Sequence, residues 1–429
     1  MGYPRRELDQ MGILFSQVKL ARPEQNRCWD VLIIGREIVA IAPQLQAEGQ
    51  LVIPGNGRLL VPGFVDLHCH LREPGFENKE TIASGTRAAA KGGFTTVCAM
   101  PNTAPPPDTP ERLHAIAERI AKSAVIPVKL VAAATIGRAG REATDAGALK
   151  AAGAVALSDD GSGIQDRTVL SAVLSRCAAA GLPYFSHCED ESLSAGGIFH
   201  DSWPIAAETT ALARELSVVK ETGAAYHLCH TSSGESVSLL EEAKSLGLAV
   251  TAEVTPHHLV LATEDIPDWT GLYKVNPPLR PRAEVEALIA GLNREIIDCI
   301  ATDHAPHTAA EKALPADEAP FGFSGLEVAF AALYTKLVKK GRLRMERLLS
   351  ALCREPRRML GQYCPELGLK PGDPADLTLL DLDKTQVVTA ESLVSQGKNT
   401  PFIGHILTGW PQLTMVNGEI IWSDKEFGR

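Results

Sequence analysis

No apolar run in this 429-residue chain approaches the roughly 20 residues needed to cross a bilayer; the longest, 124–134 and 296–301, are interrupted or too short. A membrane span is therefore not expected. Residues 1–10 lack the apolar stretch and small-residue cleavage site of a secretory leader and carry Arg5, Arg6, Glu7 and Asp9, so a cytoplasmic location is expected. No C-x-x-C pair occurs among the nine cysteines, which are odd in number and scattered. Several lie in apolar, strand-like segments, and they read as reduced small hydrophobes rather than disulfides, ligands or nucleophiles. Positive charge is in deficit: Lys and Arg number 42 against 52 Asp and Glu, a net charge of −10. That balance disfavours nucleic acid as a partner and requires any anionic substrate to find a local cation. There is no internal repeat or low-complexity tract, and an apolar share of 45% with 22% charged residues is ordinary for a globular protein with a sizeable core.

What is present is a regular alternation. Short β-rich runs fall at 63–67, 95–99, 128–133, 154–157, 183–186, 225–228, 249–253 and 297–302. Helical composition fills 80–91, 110–121, 166–180, 206–221, 233–245 and 282–293. Eight strands alternating with helices predict a (β/α)₈ TIM barrel over 63–360; a doubly wound sheet is the structural alternative. Both chain ends are instead strand-rich, at 14–20, 29–34, 38–41 and 59–61, then at 376–382, 413–416 and 419–422. Asn417-Gly418 between two apolar runs is a hairpin signal. The simplest arrangement pairs 1–62 with 361–429 in one small β-domain of the sandwich type beside the barrel.

Chemistry concentrates at strand ends. In Val65-Asp66-Leu67-His68-Cys69-His70-Leu71-Arg72, His68 and His70 are two apart at the end of the first barrel strand, so both imidazoles can aim at one point. Asp159 and Asp160 follow the fourth strand, His187 the fifth, His230 the sixth and Asp303 the eighth. All fall on the face where barrel enzymes build their sites. Four imidazoles with carboxylates exceed what one tetrahedral catalytic zinc takes from a protein, so two divalent metal ions fit better, sharing a water whose pKa falls from 15.7 towards roughly 7. Imidazole and carboxylate without thiolate suit Zn²⁺ and do not exclude cobalt, manganese or iron. Asp303 is the best general acid–base candidate. Arg72 either pairs with Glu73 at the surface or offers its planar fork to a carboxylate. Asn102 and Asn276 lie in Pro-flanked loops, where Asn also serves as a turn former.

The ordered motifs G-F-V-D-L-H-C-H-L-R-E-P-G, A-M-P-N-T, S-D-D-G, H-C-E-D, H-L-C-H-T-S, A-E-V-T-P-H-H-L, K-V-N-P-P-L-R and A-T-D-H-A-P-H, spanning 63–307, resemble those of the bacterial dihydroorotases in the amidohydrolase superfamily. N-T-P-F-I-G and the Met-Val-Asn-Gly hairpin extend the likeness to nearly the whole chain. The resemblance implies a hydrolase that interconverts dihydroorotate and N-carbamoyl-aspartate in pyrimidine biosynthesis. It also implies that His68, His70 and Asp303 bind one metal ion, that His187 and His230 bind the second, and that Asp160 bridges. Arg72, Asn102 and His307 would then hold the substrate carboxylate, with Asn276 and the Phe321-Gly322 backbone near the ring. Preferring Asp160 over Asp159 rests on the resemblance alone.

Hydantoinases and allantoinase-like relatives, the main alternative, are thought to bridge their metals through a carboxylated lysine after the fourth strand. Here that place holds Ser158-Asp159-Asp160, and the nearest upstream lysine, Lys150, sits in a helix-like run. A second alternative is an inactive, metal-free partner of aspartate transcarbamoylase, which the full ligand set disfavours. Homodimerisation and a transcarbamoylase partner stay open. The segment 196–208 looks shorter than in many relatives.

Overall fold

The computed structural model describes residues 12–22, 27–194 and 204–427; most of the segment expected to be shortened, 196–203, lies outside them, as does the polar start of the chain. Strands β1 (Ile13–Leu20), β2 (Cys28–Ile34), β3 (Glu37–Ala42), β4 (Leu51–Pro54) and β5 (Leu59–Pro62) come first. Eight parallel strands follow: β6 (Phe64–Cys69), β7 (Phe94–Ala99), β8 (Val128–Ala133), β9 (Ala154–Ser158), β10 (Tyr184–Ser186), β11 (Tyr226–Leu228), β12 (Val250–Val254) and β13 (Cys299–Ile300). Strands β14 (Leu377–Val387), β15 (Ile406–Val416) and β16 (Glu419–Ser423) close the chain.

Strands β6 to β13 lie side by side in chain order with no reversal, which excludes the doubly wound alternative, whose sheet must contain a switch point. The ring is brought almost shut where Cys69 and His304 form a parallel bridge and the His70 N–H donates to His304 O at 2.8 Å. Helices α1 (Ile82–Lys91), α2 (Pro110–Ser123), α3 (Ala146–Ala151), α4 (Arg167–Ala180), α5 (Ile205–Thr222), α6 (Gly234–Ser245) and α7 (Arg282–Asn293) connect successive strands. Their starts are set locally: Thr81, Thr109, Asp145, Asp166 and Ser233 each accept a first-turn backbone N–H. Val65, Leu67, Cys98, Val131, Ala156, Phe185, Cys229 and Cys299 fill the inside of the barrel as one buried cluster, separate from the larger one beneath the helices. Four of these eight, Cys98, Ala156, Cys229 and Cys299, have small side chains. All nine cysteines are unpaired, and seven are buried.

The expected β13 is longer than the observed one. Its backbone leaves the ladder early because the Asp66 carboxylate takes both the Thr302 N–H, at 2.8 Å, and the Thr302 hydroxyl, at 2.6 Å. A side chain replaces the neighbouring strand as acceptor.

The two chain ends share one sheet, in the order β16-β15-β14-β5-β1-β2-β3, with β4 on β1. The ends join through antiparallel β5 and β14, where Leu60 opposes Leu379. Phe15, Val18, Val31, Ile33, Leu377 and Leu413 form its core. Asn417 and Gly418 both adopt positive φ, 51° and 79°, as a two-residue hairpin turn requires, and a Cβ on Gly418 would lie 1.8 Å from Gly35 O. Strand β4 has no counterpart in the sequence reading, and β15 starts seven residues earlier than expected. The added stretch contains Pro411, which falls at a register shift opposite Leu380, a bulge position where proline's missing N–H costs no ladder bond. Among the described residues no helix is long and apolar enough to cross a membrane.

Candidate active site

The C-terminal strand ends converge as the spacing requires. His68 and His70 project to the same side, with ring centroids 5.3 Å apart. The His68 Nε2 atom lies 3.3 Å from Asp160 Oδ1 and 3.5 Å from Asp303 Oδ1. The His70 Nε2 atom is 2.9 Å from Asp303 Oδ1 and 3.6 Å from Asp160 Oδ2. From the opposite side, His187 Nδ1 and His230 Nε2 approach Asp160 Oδ1 at 3.7 and 3.5 Å and each other at 2.9 Å. Ligand atoms of His68, Asp160 and His230, and again those of His68, His70 and Asp303, all fall within 4.8 Å of one another. All six residues are buried.

Asp159 and Asp160, adjacent in sequence, are separated by their partners. Asp159 accepts the N–H groups of Ala134 and Thr135, at 2.9 and 3.0 Å, and the Thr135 hydroxyl, which ties β9 to the loop after β8. Asp160 turns into the imidazole cluster. Backbone strain marks the same place: among the described residues, Arg72, His230 and Asp303 are three of the nine non-glycine residues with positive φ, at 60°, 34° and 45°. Such conformations persist where surrounding contacts impose them, and they gather at functional sites.

Whether a cation fits is a question of unsatisfied atoms. His68 Nε2 and Asp160 Oδ1 are buried and have no hydrogen-bond partner, an arrangement that is costly unless something else fills the role. Burial by itself would raise the Asp160 and Asp303 carboxyls, but the charge of His68 and the other imidazoles close by outweigh it and hold both well below the usual carboxylate range. Burial likewise disfavours a charged His187, yet the nearby Asp160 carboxylate and the hydrogen bond to Glu189 push it up to about 10. The cluster thus keeps its carboxylates ionised among imidazoles, and its oxygen and nitrogen donors match a divalent metal ion.

Beside the cluster opens a cavity of about 130 Å³, bordered by Arg72, Asn102, Asn276, Phe321 and Gly322. Arg72 is brought here rather than to Glu73, which binds Arg119 at 3.2 Å and the Ile82 N–H at 3.0 Å. Burial lowers the Arg72 guanidinium only to about 10, so it stays charged at neutral pH. Its Nε donates to Pro306 O, and Nη2 lies 3.2 Å from His307 Nε2. Burial, and then the Arg72 charge, push His307 down to about 3; the neutral ring places Nε2 2.7 Å from Phe321 O, an N–H donor's position. Asn102 receives the His70 Nδ1–H at 2.6 Å and donates to Asp160 Oδ2 at 3.1 Å, so it also orders the cluster. Asn276 Nδ2 donates to Glu189 Oε2 at 2.8 Å. A roomier groove of about 370 Å³ lies elsewhere, bordered by Asp265, Arg282, Lys336, Arg342 and His405. Its arginines are neutralised by Asp265 and Glu286, and the convergent groups border the smaller cavity instead.

Three functional neighbours escape the sequence reading. Glu189 receives the His187 Nε2–H at 2.9 Å; its place two residues after a strand-end histidine was the available signal. Glu253 receives the His68 Nδ1–H at 2.7 Å, and a glutamate within an apolar strand was the clue, since such a charge is buried only with partners. Lys312 donates to the carbonyls of Lys274, Pro320 and Gly322 at 3.1, 2.9 and 3.0 Å and so fixes the loop that carries Phe321. Nothing in its polar surroundings singled it out. Lys312→Met is expected to loosen that loop and raise KM several-fold with little change in kcat, checked by steady-state kinetics; an unchanged KM would count against the role.

Residues 57–236 match the family model described as dihydro-orotase-like. The chain is 46% identical to a dihydroorotase of Bacillus cytotoxicus over 404 residues, covering 92% of this chain and 94% of the relative. It is 44% identical to one of Anoxybacillus flavithermus over 424 residues, covering 96% and 99%. Among solved structures, the L-hydantoinase (dihydropyrimidinase) of Arthrobacter aurescens superposes with a TM-score of 0.86 at 27% identity, covering 96% of each chain. A dihydropyrimidinase of Brevibacillus agri gives 0.85 at 23% identity over 97% and 96%, a likeness of fold. Near-half identity sustained over nine-tenths of the chain places this protein, a cyclic-amide hydrolase, in the dihydroorotase family.

Proposed function

We propose that the protein interconverts dihydroorotate and N-carbamoyl-aspartate, a step of pyrimidine (UMP) biosynthesis carried out in the cytoplasm. The observation that carries this reading is one half-buried, charged guanidinium, Arg72, bordering the same cavity as a cluster of imidazoles and carboxylates. A cyclic amide bearing a carboxylate needs both.

Two divalent ions, zinc best matching the donors, would be held by His68, His70 and Asp303 on one side and by His187 and His230 on the other, with Asp160 between, and would supply Lewis-acid polarisation of the scissile carbonyl and acidification of water. The chain's own groups divide the remaining work. The Arg72 fork takes the substrate carboxylate, with Asn102 and His307 beside it. Asn276 and the Phe321-Gly322 backbone border the ring. The glycine is required there: it has φ of 132°, and a Cβ would meet that of Ala305 at 2.6 Å. Asp303 accepts the proton of the attacking water as the amide carbon becomes tetrahedral and delivers it to the departing ring nitrogen. In the cyclising direction it removes a proton from the ureido nitrogen, and water leaves.

A hydantoinase-like specificity is the second reading, favoured by the L-hydantoinase that superposes on this chain at 27% identity. Against it stand Asp160 in place of a bridging lysine, and Lys150, whose Nζ donates to Ala180 O at 2.6 Å well away from the cluster. Rates on dihydroorotate and on hydantoins, measured with metal-loaded protein, separate the two. Turnover of dihydroorotate is expected; turnover of hydantoins alone would overturn the proposal. Arg72→Met is expected to raise KM for dihydroorotate about 10- to 100-fold, the worth of a charge-assisted hydrogen bond, with a smaller effect on kcat. An unchanged KM would remove Arg72 from its assigned role.

A further inference from the structure

We infer that Glu253 is a positioning residue that selects the tautomer of His68 and fixes its aim, and thereby sets how tightly the cluster holds a cation; this rests on the metal-site reading above. Glu253 lies on β12, a strand that contributes no candidate ligand. Its carboxylate is fully buried, close to Cys229 and Cys299, where an ionised group is retained only if its lone pairs are used. They are used: Oε1 accepts the His68 Nδ1–H at 2.7 Å and lies 3.4 Å from the backbone N–H of His230, while Oε2 accepts the His227 Nε2–H at 3.1 Å. His227 Nδ1 in turn accepts the Thr251 hydroxyl proton at 2.9 Å, which completes a chain of donors ending on one carboxylate.

A neutral imidazole carries a single N–H. Because Glu253 holds the proton on Nδ1, a His68 that ligates a cation does so by giving up the Nε2 proton, and Nε2 is the buried nitrogen without a partner that faces Asp160 and Asp303. In the other tautomer a proton would point into the cluster and a lone pair would oppose the carboxylate. The same residue reaches the backbone of His230 on the opposite flank, so one buried carboxylate spans both halves of the cluster. Asn102 on His70 and Glu189 on His187 play comparable parts, but Asn102 itself borders the cavity and Glu189 is bonded to Asn276, which does. Glu253 cannot touch a substrate, and its influence must pass through the histidines.

The test is Zn²⁺ affinity, measured by competition with a chelating dye, for the full-length protein and for Glu253→Ala and Glu253→Gln, with the thermal midpoint of each metal-free protein recorded alongside. Alanine is expected to weaken binding about 10- to 100-fold. Glutamine can still accept from His68 Nδ1 and donate to the alternative tautomer of His227, so it is expected to fall between alanine and the parent with a near-parental metal-free midpoint. With saturating Zn²⁺, kcat of the glutamine variant should recover. Parental affinity in both variants would overturn the inference and leave the metal site standing, as would the loss of one whole ion per chain, which would make Glu253 a ligand. Failure of the parent protein to take up Zn²⁺ would overturn both. Should the alanine variant not fold, the glutamine variant alone decides.

Discussion

Asp303→Asn is expected to lower kcat by about 10³-fold or more while the protein remains folded. General acid–base catalysis contributes 10² to 10⁴ in rate, and this residue is also assigned as a ligand, so its loss removes two functions together. Asparagine is the informative replacement because Asp303 has φ of 45°, a conformation that Asn adopts more readily than most residues. The amide keeps the backbone and the bond-accepting oxygen 2.9 Å from His70 Nε2 but cannot take up a proton. Alanine at this position loses the same chemistry and adds backbone strain, so a comparison of the two separates proton transfer from fold. Initial rates at saturating dihydroorotate, with metal content determined on the same samples, provide the check. Retention of a tenth of the parental rate in a metal-replete Asn variant would remove Asp303 from the proton path.

The second large effect is a crossover between two neighbouring aspartates. Asp160→Ala is expected to abolish turnover and weaken metal retention, because its carboxylate is the one group reached by His68, His70, His187 and His230 together. Asp159→Ala is expected to act on stability instead. It would strand the buried backbone N–H of Thr135 and remove the acceptor of its hydroxyl, while the Ala134 N–H keeps Ser158 O at 3.0 Å, at about 1–3 kcal/mol for the unsatisfied N–H. Denaturant midpoints and metal analysis on both variants decide the matter. If Asp159→Ala lost its metal and Asp160→Ala kept it, the bridging role would pass to Asp159.

That crossover also shows where reading a sequence runs out. Two consecutive residues after a strand have side chains whose directions depend on the loop, and no local spacing distinguishes them. The loop after β8 does, because Thr135 and Ala134 offer donors that capture Asp159 and leave Asp160 to the imidazoles. Glu253 was likewise legible only as an odd charge in an apolar strand; its meaning came from His68, which is 185 positions away in the chain. Lys312 gave no sign at all, since three backbone carbonyls of a folded loop form its site and carbonyls are written into every sequence alike. In the terminal sheet, Pro411 is accommodated within β15 only because the register shifts opposite Leu380 of β14.

What the amino-acid order determined alone was everything governed by short-range backbone geometry. The eight β-rich runs, the capping residues between them, the Asn-Gly hairpin and the two histidines on one side of a strand end follow from periods of two and 3.6 residues and from the φ values that glycine and asparagine tolerate. The tertiary structure decided the distribution of roles: which carboxylate faces the cluster, which glutamates orient the imidazoles, and where Arg72 finds its place opposite them. Those outcomes depend on barrel closure, which sets the distances between strand ends that lie tens to hundreds of residues apart, and a buried charge takes its function from the partners that closure brings within about 3 Å.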